Sequence, residues 1–528
     1  MDSITFKNFR KFKKETTFNL DMINVLVGPN SSGKSTLTKG IRLYLYNIKN
    51  LKINRDNIFN ANPFFVFGGD VLNNPHIGTF GRALSKDADE SNIVFSATFV
   101  DLVIEMTVSR YSVNLKNEDN SLIDYYDKTI APIIKIVIFD KRVDTRFSYD
   151  FETRVQTAEY NVTGEVDYYS RWKQELENLK NDLKDAQSLK ESEEISSEIA
   201  TLENCLKLNF KEKVTWYSDL LYEQKTDDIL WNLVHGWTEV INSDTPEKYK
   251  DKNRDFYQAM LRQEGAGLFY FLKIRDEILD NRYYVYSDSI QNIEAHSVTR
   301  SIVYNISDKN DYMAQTICEY MNENIKEEAP EKKFINKWMK KFEIGEDFRI
   351  ESYGGESYKM EIIEDVNRSQ EAVPLLDKGI GNNQIMILLL RLATIMHQNR
   401  NKLIPCIINV EEPEQNLHPQ WQSLLAELFY EVYQYPKNNN QESWGITLLV
   451  ETHSEYLVRQ VQVITAKCFK RGDDGVPFSV CYFTGKNDNP YYEMGFQKNG
   501  KFERPFGTGF FNVADDAAME LFDLEDEN

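Results

Sequence analysis

Eight consecutive residues, Gly28-Pro29-Asn30-Ser31-Ser32-Gly33-Lys34-Ser35, carry the spacing G-x-x-x-x-G-K-[ST]. Between a strand and a helix, that spacing is a loop for holding polyphosphate. Glycines let the chain turn so that successive backbone N–H groups face one anion, and the helix adds the positive end of its dipole. Lys34 would reach the β- and γ-phosphates, and the Ser35 hydroxyl would ligate Mg²⁺. The nucleotide-binding set expected here is Asn30, Ser31, Ser32, Gly33, Lys34, Ser35 and Thr36. A second group of reactive residues lies far along the chain. Glu411-Glu412-Pro413-Glu414 closes an apolar run ending at Val410. A carboxylate at the end of a strand beside a phosphate loop can anchor Mg²⁺ or its waters. A second carboxylate next to it can position and deprotonate an attacking water. His453 closes another apolar run; a lone histidine is usually structural, and its place in this order argues for a functional one.

The elements that must position these groups are legible around them. Ile23-Asn24-Val25-Leu26-Val27 reads as a short buried strand. A helix follows from 34 to about 47, with Leu37, Ile41 and Leu45 on one face. Residues 403–410 and 446–450 read as two further buried strands. Strand-like runs at 4–12, 93–99, 102–106 and 134–139, with a polar turn at 117–120, predict an antiparallel β layer. Gly354-Gly355 between 348–352 and 358–363 predicts a hairpin, and 384 to about 397, apolar nearly all round, predicts a buried helix.

The composition changes near Tyr168. Trp172, Leu176, Leu179, Leu183 and Ala186 form one helical stripe, and Ile195, Ile199, Leu202 and Leu206 another, out of phase. Two arms reversing within 188–194 would satisfy this, and so would one continuous helix with a register shift. A hairpin packed on its own domain is favoured over a dimerising coiled coil. Residues 332–341 carry five lysines opposite Phe334, Trp338 and Met339, the pattern of a solvated amphipathic helix, with a partner or nucleic-acid surface as the alternative.

At 528 residues the chain can hold two or three domains, and its 41% apolar content suits a globular fold. No apolar run approaches the roughly eighteen residues of a membrane span, and Met1-Asp2-Ser3-Ile4 does not open a signal peptide. The five scattered cysteines make no C-x-x-C pair, which fits a reducing, cytoplasmic setting. A net charge of −21 disfavours indiscriminate nucleic-acid binding while leaving a local basic face open.

Several of these motifs resemble those of ABC-type ATPases of the SMC/RecF/OLD-like class. The opening Ile4-Thr5-Phe6-Lys7-Asn8-Phe9 resembles the first strand of such heads. Glu411-Glu412-Pro413-Glu414 with Leu417-His418-Pro419 resembles the Walker B region of OLD and related anti-phage ATPases, such as those of Septu systems. Thr452-His453-Ser454 resembles the switch-histidine loop. The resemblance implies Glu411 and Ser35 on Mg²⁺, Glu412 as general base, and His453 against the γ-phosphate. It also implies that Lys378, Gly379, Gly381, Asn382 and Gln384 form a signature segment that reaches a partner's nucleotide in trans. Three departures stand out. Glu411 replaces the commoner Asp, Gly379 stands where the signature serine would be, and no glutamine occurs between Thr36 and Gln156 to serve as a Q-loop. Gly78-Thr79-Phe80, near His76, is the candidate for that missing place, and the gaps argue for slow turnover. No TOPRIM-like acidic cluster follows His453, so no intrinsic nuclease is expected.

The fold expected is therefore α/β: a P-loop ABC-type ATPase head with an antiparallel β layer and a mainly helical insertion containing a short coiled-coil-like hairpin. The division expected is an N-terminal lobe 1–160, an insertion 161–344 and a C-terminal lobe 345–528. The resemblance implies a cytoplasmic Mg²⁺-dependent ATPase that dimerises head to head. Its expected role is as a sensor in prokaryotic anti-phage defence beside a separately encoded effector such as a nuclease. A nucleotide-locked scaffold and a RecF-like DNA-repair ATPase are the rivals.

Overall fold

The computed structural model describes residues 1–20, 22–51, 63–68, 77–110 without 87, 114–116, 122–124, 129–162 without 142 and 143, 167–206 without 187, 210–217, 233, 289–294, 301–438 without 309, 310, 369, 370, 403 and 404, 445–507 without 473–475 and 487, and 511, 513, 516, 517, 519 and 520. Two compact units are present, each assembled from separated segments. One joins Met1–Asn19 to Lys39–Ser287, and the other joins Leu20–Thr38 to Asp288–Asn528. The expected boundaries at 160 and 344 fall inside these units. The phosphate-loop strand explains the split, because its sheet partners all come from the C-terminal half of the chain.

That sheet has six strands among the described residues, in the order Ser289–Ile293, Cys406–Glu411, Ile446–Glu451, Ile23–Val27, Phe478–Phe483 and Tyr491–Glu493. All are parallel except the last pair. Ile23–Val27 is central and buried at every position, as a parallel strand covered on both faces must be. Its one polar side chain, Asn24, donates to Leu448 O at 3.2 Å, so burial leaves no amide stranded. The buried helix spans Ile380–Lys402, longer at both ends than its apolar run suggested, and Ile385, Leu388, Leu389 and Leu392 are fully enclosed. The hairpin forms as Asp347–Tyr353 and Ser357–Ile363, and Gly354 and Gly355 turn it at φ 63° and 78°.

The lysine-rich helix, Pro330–Lys341, is tied down within its own unit. Lys332 is buried on Asp347 at 2.7 Å with its ammonium 3.6 Å from the Phe348 ring. Lys337 pairs with Glu431 at 2.6 Å, Lys340 with Glu346 at 3.3 Å and Lys341 with Glu427 at 3.1 Å. With four of its five lysines paired intramolecularly, this helix is a packed amphipathic element and not an open basic face.

The other unit carries the predicted antiparallel layer. Its nine described strands include Ser3–Lys7, Asn92–Phe99, Leu102–Ser109 and Ile130–Asp140, every pair antiparallel. Phe6, Phe9, Phe12, Phe18 and Phe95 pack as one aromatic cluster with centroids 5.0–6.1 Å apart. Gly40 presses against it: a Cβ there would lie 2.5 Å from the Phe6 ring. The two arms are separate helices, Asp167–Asp185 and Leu189–Cys205, and Ser188 caps the second by accepting from Glu191 N–H at 3.2 Å. Lys180 meets Glu203 at 3.2 Å, so the arms pair within the chain, which corrects the continuous-helix alternative. After them the chain returns as the strand Phe210–Tyr217, paired with Val155–Val162, so this stretch of the insertion is β and not helical. The polar turn at 117–120, His76 and most of 218–288 lie outside the described residues.

Candidate nucleotide site

The phosphate loop, the acidic turn and the switch-like loop all belong to the unit that contains Leu20–Thr38. Strand Ile23–Val27 ends at Gly28, which holds φ 143°; a Cβ there would sit 2.4 Å from Phe483 O. Ser31 at φ 58° and Gly33 at φ 122° complete the turn, and helix Lys34–Lys49 begins at once. Among the described residues the N–H groups of Gly33, Lys34 and Ser35 donate to no protein group, as expected at a helix start. Ser32 Oγ is buried without a partner. Asn30 and Ser31 are exposed, and Thr36 is buried in the first turn. An open row of N–H donors, with an orphaned hydroxyl, fits a triphosphate.

Lys34 is buried, and its ammonium donates to Gly28 O at 2.8 Å and Pro29 O at 3.1 Å. It also meets His453 Nε2 at 3.1 Å, which requires that nitrogen to be the acceptor of a neutral imidazole. Burial lowers the pKa of Lys34, against the attraction of Glu451, Glu412 and Glu414. Burial and the Lys34 charge together depress His453, against a weaker pull from Glu412, so the ring is neutral at pH 7. Glu412 stands at φ 42°, its Oε1 3.8 Å from His453 Nε2, and its side chain is held by Gln415. Its N–H donates to Glu451 O at 2.9 Å. The structure thus brings Lys34, Glu412 and His453 together. Glu414, buried, accepts from His453 N–H at 2.6 Å; burial raises its pKa.

Glu451 went unnoticed in the sequence. It is 3% exposed, and its two oxygens accept from Ser35 Oγ and Thr38 Oγ1, each at 2.8 Å. Burial and then the neighbouring Glu411 push its pKa up to about 7. Its signal is the same as that of Glu411, an acid ending an apolar strand, but the Glu-Thr-His-Ser context drew attention to the histidine. Glu411 pairs in register with Glu451 one strand farther from the loop, and accepts from Asn409 Nδ2 at 3.2 Å. A hydroxyl and two carboxylates make an oxygen set suited to Mg²⁺, which takes few protein ligands and completes its shell with water and phosphate.

The signature segment is different in character. Gln384 is fully buried and donates to Pro413 O at 2.9 Å, so its side chain supports the acidic turn of its own chain. This corrects its expected role in trans. Asn383, also enclosed, donates to Leu375 O at 3.0 Å and Gly379 O at 2.7 Å. Lys378 pairs with Glu364, and Asn382 donates to Lys378 O. Gly379 at φ 86° and half-buried Gly381 leave Ile380, 40% exposed, as the outward group. A Cβ on Gly381 would lie 3.1 Å from Asn416 O. Thr79, the candidate Q-loop substitute, caps the short helix Phe80–Ala83 in the other unit.

Solved structures similar to the chain include the Smc head domain with an extended coiled coil from Pyrococcus furiosus, at 10% identity, TM-score 0.32 and 99% coverage of both chains. The SMC head domain from Thermotoga maritima matches at 10% identity and TM-score 0.31, covering 94% of this chain and 98% of that one. RecF bound to an ATP analogue matches at 10% and TM-score 0.26, covering 92% and 96%. No curated protein matches. No described helix is long and apolar enough to cross a membrane. The model of the AAA ATPase domain matches residues 1–458, and with it the phosphate loop, the acidic turn and His453: the chain belongs to the AAA ATPase domain family.

Proposed function

We propose that this ATPase binds Mg²⁺-ATP at the loop 28–36 and hydrolyses it slowly, with Glu412 as general base and His453 against the γ-phosphate. The observation that carries this is the convergence of Lys34, His453 and Glu412 beside a row of N–H donors with no partner among the described residues. Ser35 and Glu411 would hold Mg²⁺, with Glu451 bonded to the Ser35 hydroxyl, and the ion would supply charge neutralisation of the phosphates. Glu412 is oriented by its backbone bond and by Gln415; the three N–H groups of Lys34 face Gly28 O, Pro29 O and neutral His453, so on this reading ATP would take the place of one of these partners. The absent Q-loop glutamine and signature serine support slow turnover.

By resemblance, ATP closes two heads face to face, each offering Lys378, Gly379, Gly381 and Asn382 to the other's nucleotide. The role inferred from the Glu-Glu-Pro-Glu-x-x-Leu-His-Pro motif is sensing in a prokaryotic anti-phage system with a separate effector such as a nuclease, in the cytoplasm. Sedimentation of Glu412→Gln with Mg²⁺-ATP should give a dimer and, without nucleotide, a monomer. Ile380→Glu, at an exposed position, should prevent the dimer while leaving ATP binding intact. Glu412→Gln remaining monomeric with bound ATP would overturn the head-to-head reading and favour a scaffold that nucleotide regulates within one chain.

A further inference from the structure

We propose that Glu451, and not Glu411 alone, is the positioning residue for the divalent ion: it holds the Ser35 proton so that the hydroxyl oxygen presents a lone pair to the metal. This rests on reading the loop 28–36 as a Mg²⁺-nucleotide site.

Three contacts carry the assignment. First, Ser35 Oγ donates its only proton to Glu451 Oε2 at 2.8 Å, which leaves both lone pairs of that oxygen free. A metal-ligating hydroxyl needs this orientation, because a proton turned toward the ion would repel it. Second, Thr38 donates to the other carboxylate oxygen, also at 2.8 Å. Ser35 and Thr38 are three apart and so share one face of their helix, and together they fix the carboxylate at both oxygens. Third, strand Ile446–Glu451 lies directly beside Ile23–Val27, with Glu451 level with Leu26, whereas the strand bearing Glu411 is one place farther out. Adjacent strands lie about 4.8 Å apart, so the carboxylate that reaches the loop hydroxyl belongs to the inner one.

The same residue also serves the base. The carbonyl of Glu451 accepts the Glu412 N–H at 2.9 Å, so one residue orients the metal's hydroxyl through its side chain and the base through its backbone. Glu411 and Glu451 stand level on neighbouring strands, a juxtaposition of like charges that a divalent cation would relieve. A buried acid with a purely structural task would gain nothing from a second acid beside it.

Glutamine at 451 has one acceptor and one donor end, so one of the two hydroxyls must reverse. The test compares wild type, Glu451→Gln, Glu411→Gln and Thr38→Ala by fluorescence anisotropy of a methylanthraniloyl ATP, in MgCl₂ and in EDTA. Wild type should bind more tightly with Mg²⁺. Glu451→Gln should keep the EDTA affinity but lose about tenfold or more of the Mg²⁺-dependent gain, the usual scale for an outer-sphere partner of a metal. Glu411→Gln should lose less, and Thr38→Ala, which keeps the charge but frees one oxygen, should fall between wild type and Glu451→Gln. A full Mg²⁺ gain in folded Glu451→Gln, or a loss confined to Glu411→Gln, would overturn the proposal. If Glu451→Gln does not fold, a full gain in Thr38→Ala would do the same. Wild type binding no nucleotide in either buffer would instead remove the nucleotide-site reading beneath it.

Discussion

The phosphate loop and the signature segment are both glycine-containing turns that lead into helices, yet they use their polar side chains differently. At the loop, the N–H groups of Gly33, Lys34 and Ser35 and the hydroxyl of Ser32 have no partner among the described residues. At the signature segment, the side-chain N–H groups of Asn382, Asn383 and Gln384 donate to carbonyls of their own chain and Lys378 is paired, and what stays open among the described residues is two buried acceptors, Asn382 Oδ1 and Gln384 Oε1. Open donors beside a buried cation suit an anion, whereas open acceptors beside used donors do not. The glycine pattern alone does not distinguish the two. The partner of each donor does.

The contrast can be broken by removing one group from each region. Lys34→Ala should show the largest effect, loss of measurable ATP affinity in calorimetry, because no other loop cation can meet the β- and γ-phosphates. The fold should survive, since among the described residues the ammonium is bonded to two carbonyls and a histidine. Gln384→Leu should do the reverse. It strands the Pro413 carbonyl in a buried place, at a cost of about 1–3 kcal/mol read as a lower midpoint in urea. ATP affinity should change little. Equal ATP affinity in Lys34→Ala and wild type, or selective loss of ATP binding in Gln384→Leu, would erase the distinction.

Much of the site was legible because phosphate chemistry demands particular residues at fixed offsets. Gly28 to Ser35, the acids at 411 and 412, and the histidine at 453 stand out from the string itself. Glu451 did not, because one acid at the end of one apolar strand has no spacing to announce it. Only the strand order, with Ile446–Glu451 between the loop strand and the Glu411 strand, gives it meaning. Gln384 failed for a related reason: the residue sits at a helix start that could face outward or inward, and its contact with Pro413 joins segments remote in sequence. The antiparallel layer followed from alternation, as with Leu102–Ser109, whose burial switches at each residue. That one site draws on both ends of the chain follows from the long separation of Lys34 and Glu411, but where each unit begins and ends does not. A strand surrendered to a sheet built from the far half leaves no compositional mark where the chain crosses over.

On the proposed function, Glu412 activates water for a nucleotide held by Lys34. The most direct test of this is single-turnover hydrolysis of Mg²⁺-ATP by wild type and Glu412→Gln, each shown by calorimetry to be saturated with nucleotide. The mutant should bind ATP as wild type does and release phosphate on the order of a hundredfold or more slowly, the usual contribution of a positioned base. Equal rates in the two proteins at equal occupancy would contradict the account and move the base to another residue.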